Sequence, residues 1–155
     1  EEVVSHADYA TIDPASLGFE AKAHFALIYG NGTVVQGDSR ASPFSSPPVF
    51  ASETISRAIL KAAEDPGIAA IVLRIDGPGG SALAAELIWR AIGRAQDQGK
   101  PVIASFSDLA ASGGYYVAAG ADAIVADPGT LTGSIGVFAL RPAIAGLLDK
   151  LEIGI

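Results

Sequence analysis

The chain has 155 residues, a net charge of -7, and hydrophobic side chains at half of its positions. This length is typical of one domain with a continuous core, and the acidic charge argues against a nucleic-acid partner. The chain contains no cysteine, which excludes disulfides and cysteine catalysis. It also contains no methionine, so we expect a processed or partial chain whose chemistry depends on residues outside it.

The first fifty residues predict a linker, a hairpin and a loop. Residues 1–22 are polar and interrupted by proline and glycine, as in a linker. The apolar run 24–29 then reaches Asn31-Gly32, and a second apolar run follows. An Asn-Gly step between two such runs predicts a hairpin. The segment 38–50 is rich in serine and proline and is expected to be a mobile loop.

From residue 52 onward, predicted helices and strands alternate. Ser52 is expected to cap the first helix, whose apolar residues recur every three or four positions. The run 68–75 is rich in β-branched residues, as in a parallel strand covered on both faces. The alternation predicts an α/β domain with a largely parallel sheet. The later elements are a helix patterned on Leu83, Leu87, Ala91 and Ala95, a strand over 101–106, a helix over 112–119, a strand over 123–126, and a helix that begins at Pro142 and ends just before Gly154.

Two glycine-rich turns, 76–81 and 108–114, are the candidate site. Each follows a predicted strand and opens a helix, so both are expected at the edge of the sheet where ligands bind. The backbone N–H groups of Gly80 and Gly113 could stabilise an oxyanion beside Ser112, each contributing about 3 kcal/mol to lowering the barrier. From spacing alone, the first turn could equally be a tight turn and Ser112 an ordinary helix cap.

The other ionisable residues bear on which base could activate Ser112. A Ser-His-Asp triad would need His6 or His24, but one lies in the predicted linker and the other opens a strand. A lysine with a lowered pKa is the known substitute for histidine. Ordinary solvated roles are favoured for the four lysines, which are Lys22, Lys61, Lys100 and Lys150.

Four segments, in order, resemble the signal peptide peptidase A family of Ser-Lys proteases: 71–81, 100–105, 110–116 and 128–137. The resemblance covers residues 23–155 and implies a Clp protease/crotonase-like fold, an α/β spiral of β-β-α units. It implies Ser112 as the nucleophile and the N–H groups of Gly80 and Gly113 as the oxyanion hole. It also implies that Pro78-Gly79-Gly80 pairs with an extended substrate.

The same resemblance sets expectations for the whole protein. It implies cleaved signal peptides and other apolar peptides as substrates, a ring or dome-like homo-oligomer, and no cofactor or metal. It implies association with a membrane, such as the bacterial inner membrane, through a segment outside this chain. The expected organisation is a linker over 1–22 and a peptidase domain over 23–155 that is incomplete at its carboxyl end. Residues 8–10 resemble the junction before the carboxyl-terminal half of long family members.

The chain departs from the family pattern in its lysines, none of which matches a family position for the general base. The base is therefore expected outside this chain. Thr132 and Ser134 are expected to shape the pocket floor or a subunit contact rather than to transfer protons. Two alternatives remain open at this stage: an inactive scaffold of the same fold, and an acyl-CoA enzyme of the crotonase kind.

Overall fold

The computed structural model describes residues 16, 23–39, 49–137 and 143–152. Three predicted segments lie wholly or partly outside these residues. They are the linker apart from Ser16, most of the serine- and proline-rich loop, and both ends of the last helix. The described strands are β1 (His24–Asn31), β2 (Thr33–Val35), β3 (Val49–Ala51), β4 (Ile68–Gly77), β5 (Val102–Ala111), β6 (Ala123–Val125) and β7 (Leu131–Gly133). The described helices are α1 (Ser52–Glu64), α2 (Ala82–Asp97), α3 (Gly113–Ala118) and α4 (Ala145–Lys150).

The main sheet has five parallel strands, as the alternation of helices and strands predicts. Its order is β1-β4-β5-β6, and β7 pairs with the carboxyl end of β5. A second, smaller sheet consists of β2 and β3, which are also parallel. Within the described residues, no helix is long and apolar enough to cross a membrane.

The predicted hairpin at Asn31-Gly32 is wrong. Gly32 does adopt a positive φ of 83°, but the strands on its two sides belong to different sheets. β1 pairs with β4, whereas β2 pairs with β3, and Val34 of β2 is buried in the core. The Asn-Gly step marks a sharp turn correctly, but local sequence cannot show that each strand finds a partner distant along the chain.

Helices α1 and α2 pack over one face of the main sheet. The buried residues of β4, including Ile71, Leu73 and Ile75, face these helices. Val72 and Arg74 on the other face are only partly buried, and Leu27 of β1, which pairs with Val72, is 53% exposed. Among the described residues, β4 is therefore fully covered on one face only, contrary to the prediction of two covered faces.

Helix α1 differs from the expectation in how it begins, and helix α2 differs in part of its buried face. Ser52 is the first helical residue of α1 and makes no capping bond; its buried hydroxyl accepts a hydrogen bond from Gly37 N at 3.2 Å. In α2, Ala91 and Ala95 are buried as predicted, but Leu83 and Leu87 are exposed and the buried residues beside them are Ala84 and Ile88. The sheet selects the buried face of α2, because small alanines allow the helix to approach closely.

Strand β5 extends further than predicted. The sequence suggested a strand ending at Phe106 and a turn from Asp108, but β5 continues to Ala111. Its pairing with β4 shifts from Ile75 opposite Phe106 to Gly77 opposite Ala110, so β5 contains extra residues in a bulge. Bulges bend a strand and redirect the side chains that follow. Here the bulge lies directly before Ser112 and sets the direction in which β5 approaches it.

Candidate active site

Ser112 occupies a sharp turn between β5 and α3. Its backbone has φ 52° and ψ -116°, a conformation that side-chain-bearing residues rarely adopt. Although it stands at the N-cap position of α3, its side chain makes no capping hydrogen bond. The structure therefore does not support the interpretation of Ser112 as an ordinary helix cap. A strained, half-buried serine at the end of a strand is typical of a functional position.

Strand β7 holds the strained turn in place. Ser112 N donates to Gly133 O at 2.9 Å, and Thr132 Oγ1 donates to Ala110 O at 2.7 Å. A positive φ at a non-glycine residue costs about 1–3 kcal/mol, so surrounding contacts have to maintain it. The sequence analysis predicts that the segment around Thr132 shapes the pocket floor or a subunit contact. It missed this supporting role, because nothing local to the segment reveals pairing with β5.

The two glycine-rich turns meet at Ser112. Gly79 has a φ of +95°, and a Cβ added to it would lie 2.5 Å from Gly113 N and 2.7 Å from Ser112 Cβ. A Cβ added to Gly113 would lie 3.1 Å from Gly80 N. Only glycine allows such close approach of two backbones. The structure thus brings together Gly79, Gly80, Ser112 and Gly113.

The first turn is paired along one edge only. Val34 N donates to Gly79 O at 2.8 Å, and Ser81 N donates to Val34 O at 2.9 Å. In an extended segment, successive backbone groups point to opposite edges, so the N–H and C=O of Gly80 face away from β2. Within the described part of the chain, no hydrogen bond occupies the N–H of Gly80 or that of Gly113. Both donors are available to a ligand beside Ser112.

A cavity of about 420 Å³ lies against Ser112. Its lining is mainly apolar and comes from three segments brought together by the fold. These are the first turn and the start of α2 (Gly80 and Ala82), the serine turn with α3 (Ser112, Gly113, Tyr115, Tyr116 and Ala119), and the segment after β7 (Ile135, Gly136 and Val137). An apolar cavity beside a hydroxyl and two free N–H groups suits an extended ligand with an apolar side chain.

A polar network joins this cavity to α2. The Tyr116 hydroxyl donates to Glu86 Oε2 at 2.5 Å, and Arg90 Nε donates to Glu86 Oε1 at 2.7 Å. The bonds from Tyr116 and Arg90 lower the pKa of the Glu86 carboxyl, and the bond to Glu86 raises the pKa of the Tyr116 phenol. The sequence analysis did not single out Glu86. Its spacing to Arg90 indicates a helical ion pair, but not the contact with α3.

Arg74 is a second residue that the sequence analysis did not assign. Its guanidinium donates to Ser105 Oγ at 2.9 Å, to Phe106 O at 2.7 Å and to Ser107 Oγ at 3.1 Å. These three acceptors lie where β5 leaves its regular register with β4. Arg74 therefore holds the strand immediately before the bulge that leads to Ser112.

The candidate bases lie away from the cavity or outside the described residues. Lys61 is exposed on α1, and Lys150 is exposed on α4. Lys100 Nζ donates to Asp65 O at 2.8 Å and to Ile68 O at 2.5 Å, a structural role. Exposed His24 opens β1, whereas His6 and Lys22 fall outside the described residues. Of the residues that the structure describes, no lysine or histidine lines the cavity.

Comparisons with known proteins agree with this arrangement. Residues 94–155 match the model of peptidase family S49. The chain is 37% identical over 147 residues to "Protease 4" of Haemophilus influenzae, covering 94% of the chain and 23% of that protein. It is 41% identical over 152 residues to "Serine protease SPPA, chloroplastic" of Arabidopsis thaliana, covering 96% of the chain and 22% of that protein. The chain thus spans less than a quarter of the length of these relatives.

Solved structures agree on the fold. A serine-to-alanine mutant of a membrane-bound stomatin-specific protease matches with a TM-score of 0.58 and 24% identity, covering 80% of this chain and 55% of that one. A lysine-to-alanine mutant of that protease, in complex with a substrate peptide, matches with a TM-score of 0.56 and 23% identity, covering 85% and 57%. The predicted Clp protease/crotonase-like fold is confirmed. The family-model match and the sequence relatives show that the chain belongs to the signal peptide peptidase A family, peptidase family S49.

Proposed function

We propose that this chain carries the nucleophile and oxyanion hole of a serine endopeptidase that degrades cleaved signal peptides and other apolar peptides. The observation that carries the proposal is the strained Ser112 beside two unoccupied N–H groups, those of Gly80 and Gly113. Relatives named as proteases support the same activity. The family resemblance supports the choice of signal peptides.

The proposed reaction is acyl transfer through Ser112. Its Oγ attacks the scissile carbonyl carbon while its proton passes to a neutral lysine from outside this chain. The N–H groups of Gly80 and Gly113 stabilise the negative oxygen of the tetrahedral intermediate. When the peptide bond breaks, the lysine returns the proton to the leaving amine. Water then hydrolyses the acyl-serine ester and releases the second product.

The free edge of the first turn supports a mode of substrate binding. Because Val34 occupies one edge of Pro78-Gly79-Gly80, an extended peptide would add along the other edge, where the groups of Gly80 are free. This places the peptide backbone beside Ser112, and the cavity receives an apolar side chain. We propose membrane association and a ring or dome-like homo-oligomer, from the family resemblance, as the context in which the external lysine completes the site.

The test is peptide hydrolysis by the full-length protein carrying Ser112→Ala. We expect hydrolysis to fall by at least a thousandfold, because the attacking oxygen is removed. The matched control is Ser56→Ala on α1, whose hydroxyl bonds to Leu87 O at 3.4 Å away from the cavity. Hydrolysis that is unchanged in the Ser112 variant would refute the proposed nucleophile.

A fluorophosphonate probe separates this proposal from an inactive scaffold. Labelling of Ser112 in the full-length protein, but not in the 155-residue chain alone, supports an enzyme whose base comes from elsewhere. The absence of labelling in both would favour the scaffold. Binding of coenzyme A thioesters, without peptide hydrolysis, would instead favour an acyl-CoA enzyme.

A further inference from the structure

The wall of the cavity beside Ser112 is held by a hydrogen bond between two helices. Tyr116 lies one helical turn after Ser112 on α3 and lines the cavity, and its hydroxyl reaches Glu86 on α2 at 2.5 Å. Ala82, which lies one turn before Glu86 on α2, also lines the cavity. The bond therefore ties together the two helices that form this part of the wall.

Glu86 is itself held in position. One carboxylate oxygen accepts from Tyr116 and the other from Arg90 Nε at 2.7 Å. The Glu86 side chain is 26% exposed, compared with 64% for Arg90, so it lies mostly under its neighbours. A carboxylate with both oxygens engaged has little rotational freedom, and hydrogen bonds to a charged acceptor are stronger than neutral ones. Glu86 can therefore fix the direction of the Tyr116 ring.

The Tyr116 ring contributes little to the core, whereas the ring of the neighbouring Tyr115 packs against it. Tyr116 is 40% exposed, whereas Tyr115 packs against the core with its ring centroid 6.2 Å from that of Phe106. The buried residues Val117 and Ala118 anchor α3 independently of Tyr116. Without the bond to Glu86, the ring would be free to change rotamer at the mouth of the cavity.

We infer that Glu86 is a positioning residue that fixes Tyr116 as a rigid wall and thereby sets which apolar side chains the cavity accepts. This inference rests on the proposed peptidase function, since it assigns the cavity to a substrate side chain. A rigid wall discriminates by size, because a side chain that is too large cannot push it aside. A mobile wall loses contacts with a fitting side chain and admits larger ones.

The experiment uses the full-length protein and peptides that differ only in the residue preceding the cleaved bond: alanine, leucine or phenylalanine. For Glu86→Ala we expect KM to rise about tenfold for the best of these peptides, kcat to change by less than about twofold, and the preference among the three to narrow. Glu86→Gln should fall between the unmodified protein and Glu86→Ala, because its amide oxygen can still accept from the Tyr116 hydroxyl but its amide nitrogen cannot accept from Arg90. The control Asp38→Ala removes the exposed ion pair with Arg57 and should change neither KM nor kcat for any of the three peptides.

A double-mutant cycle checks that Glu86 acts through Tyr116. Tyr116→Phe should reproduce the effect of Glu86→Ala, and the double variant should be no worse than either single one. Additive effects, an equal loss of kcat for all three peptides, or a Glu86→Gln variant as impaired as Glu86→Ala would overturn the inference.

Peptide affinities measured in a Ser112→Ala background distinguish failure of the inference from failure of the proposed function. If the Ser112→Ala variant still hydrolyses peptides, the proposed function is refuted. Peptide affinities that are identical with and without Glu86→Ala in that background overturn the inference, whatever the outcome for hydrolysis. Weaker binding of the best peptide, with a narrower preference, supports it.

Discussion

The two turns that meet at the candidate site achieve unusual backbone geometry in different ways. In the first turn, Gly79 and Gly80 adopt positive φ values of 95° and 149° as glycines, at little cost. In the second, a residue with a side chain, Ser112, adopts a φ of 52°. The first turn supplies backbone donors and needs no side chain, whereas the second has to present a hydroxyl. Of these two turns, therefore, only the second forces a side-chain-bearing residue into a strained conformation, at the position that has to present the hydroxyl.

The largest effect is expected where the turns touch. In Gly79→Ala, the added Cβ would lie 2.5 Å from Gly113 N and 2.6 Å from Ala111 O, both backbone atoms that cannot move independently. We expect the free energy of unfolding to fall by about 3 kcal/mol or more and hydrolysis to be lost. Urea unfolding and peptide assays measure the two effects. The control is Gly93→Ala on α2, where an added Cβ meets nothing within 4 Å. Equal stability of the two variants would contradict the close contact.

A smaller effect is expected from removing the support of the strained turn. Thr132→Val deletes the bond to Ala110 O, and we expect a loss of about 1–2 kcal/mol in unfolding free energy together with a reduced kcat. Thr130→Val is the control, since it deletes a 2.8 Å bond to Ser107 O, which lies on β5 further from Ser112, together with a 3.2 Å bond from Asp127 N. It should lower stability without lowering kcat. A similar fall in kcat in both variants would show that β7 only stabilises the fold.

The strain at Ser112 can be measured directly. Ser112→Gly should be more stable than Ser112→Ala by about 1 kcal/mol, because glycine accepts a positive φ whereas alanine retains the strain. Both variants lack the hydroxyl, so the comparison isolates the backbone contribution, and chemical denaturation measures it. If the alanine variant is equally or more stable, the serine turn is no more strained than the glycine turn.

The smallest effect concerns pH. Tyr116 and Arg90 lower the pKa of Glu86, so the folded state holds this carboxyl ionised more firmly than the unfolded chain does. The resulting stabilisation is fully present above the carboxyl's ordinary pKa of about 4.3 and is lost as pH falls through the lowered pKa of the folded state. We expect the difference in Tm between the unmodified protein and Glu86→Gln to shrink over this acidic range. A difference that is constant with pH would contradict the charged interaction.

The sequence was sufficient to predict that the two glycine-rich turns lie close together, because their residues form short, contiguous motifs. The segments containing Gly80 and Ser112 each follow a strand of a parallel sheet, and such strands direct their carboxyl ends to the same edge. The contacts that support the site were not predictable in this way. Arg74 reaches across to Ser105, and Thr132 reaches Ala110, through pairings that depend on strand order and register.

The errors have the same origin. The apolar runs beside Gly32 predicted a local hairpin, because pairing with β4 and β3 leaves no local signal. The buried face of α2 was predicted correctly at Ala91 and Ala95 but misplaced by one residue at Leu83 and Leu87, where Ala84 and Ile88 are buried instead. The position of the base remains a prediction, since it concerns residues outside this chain.

The partly uncovered face of the main sheet has a practical consequence for handling the protein. Phe25, Leu27 and Tyr29 alternate along β1 and are 62%, 53% and 59% exposed on that face. Among the residues that the structure describes, β1 is also an edge strand, with one row of backbone groups unpaired by the sheet. Within the described part of the chain, an apolar surface therefore lies beside an unpaired strand edge. Because an apolar surface beside an unpaired strand edge favours association, we expect preparations of this chain to aggregate as their concentration rises.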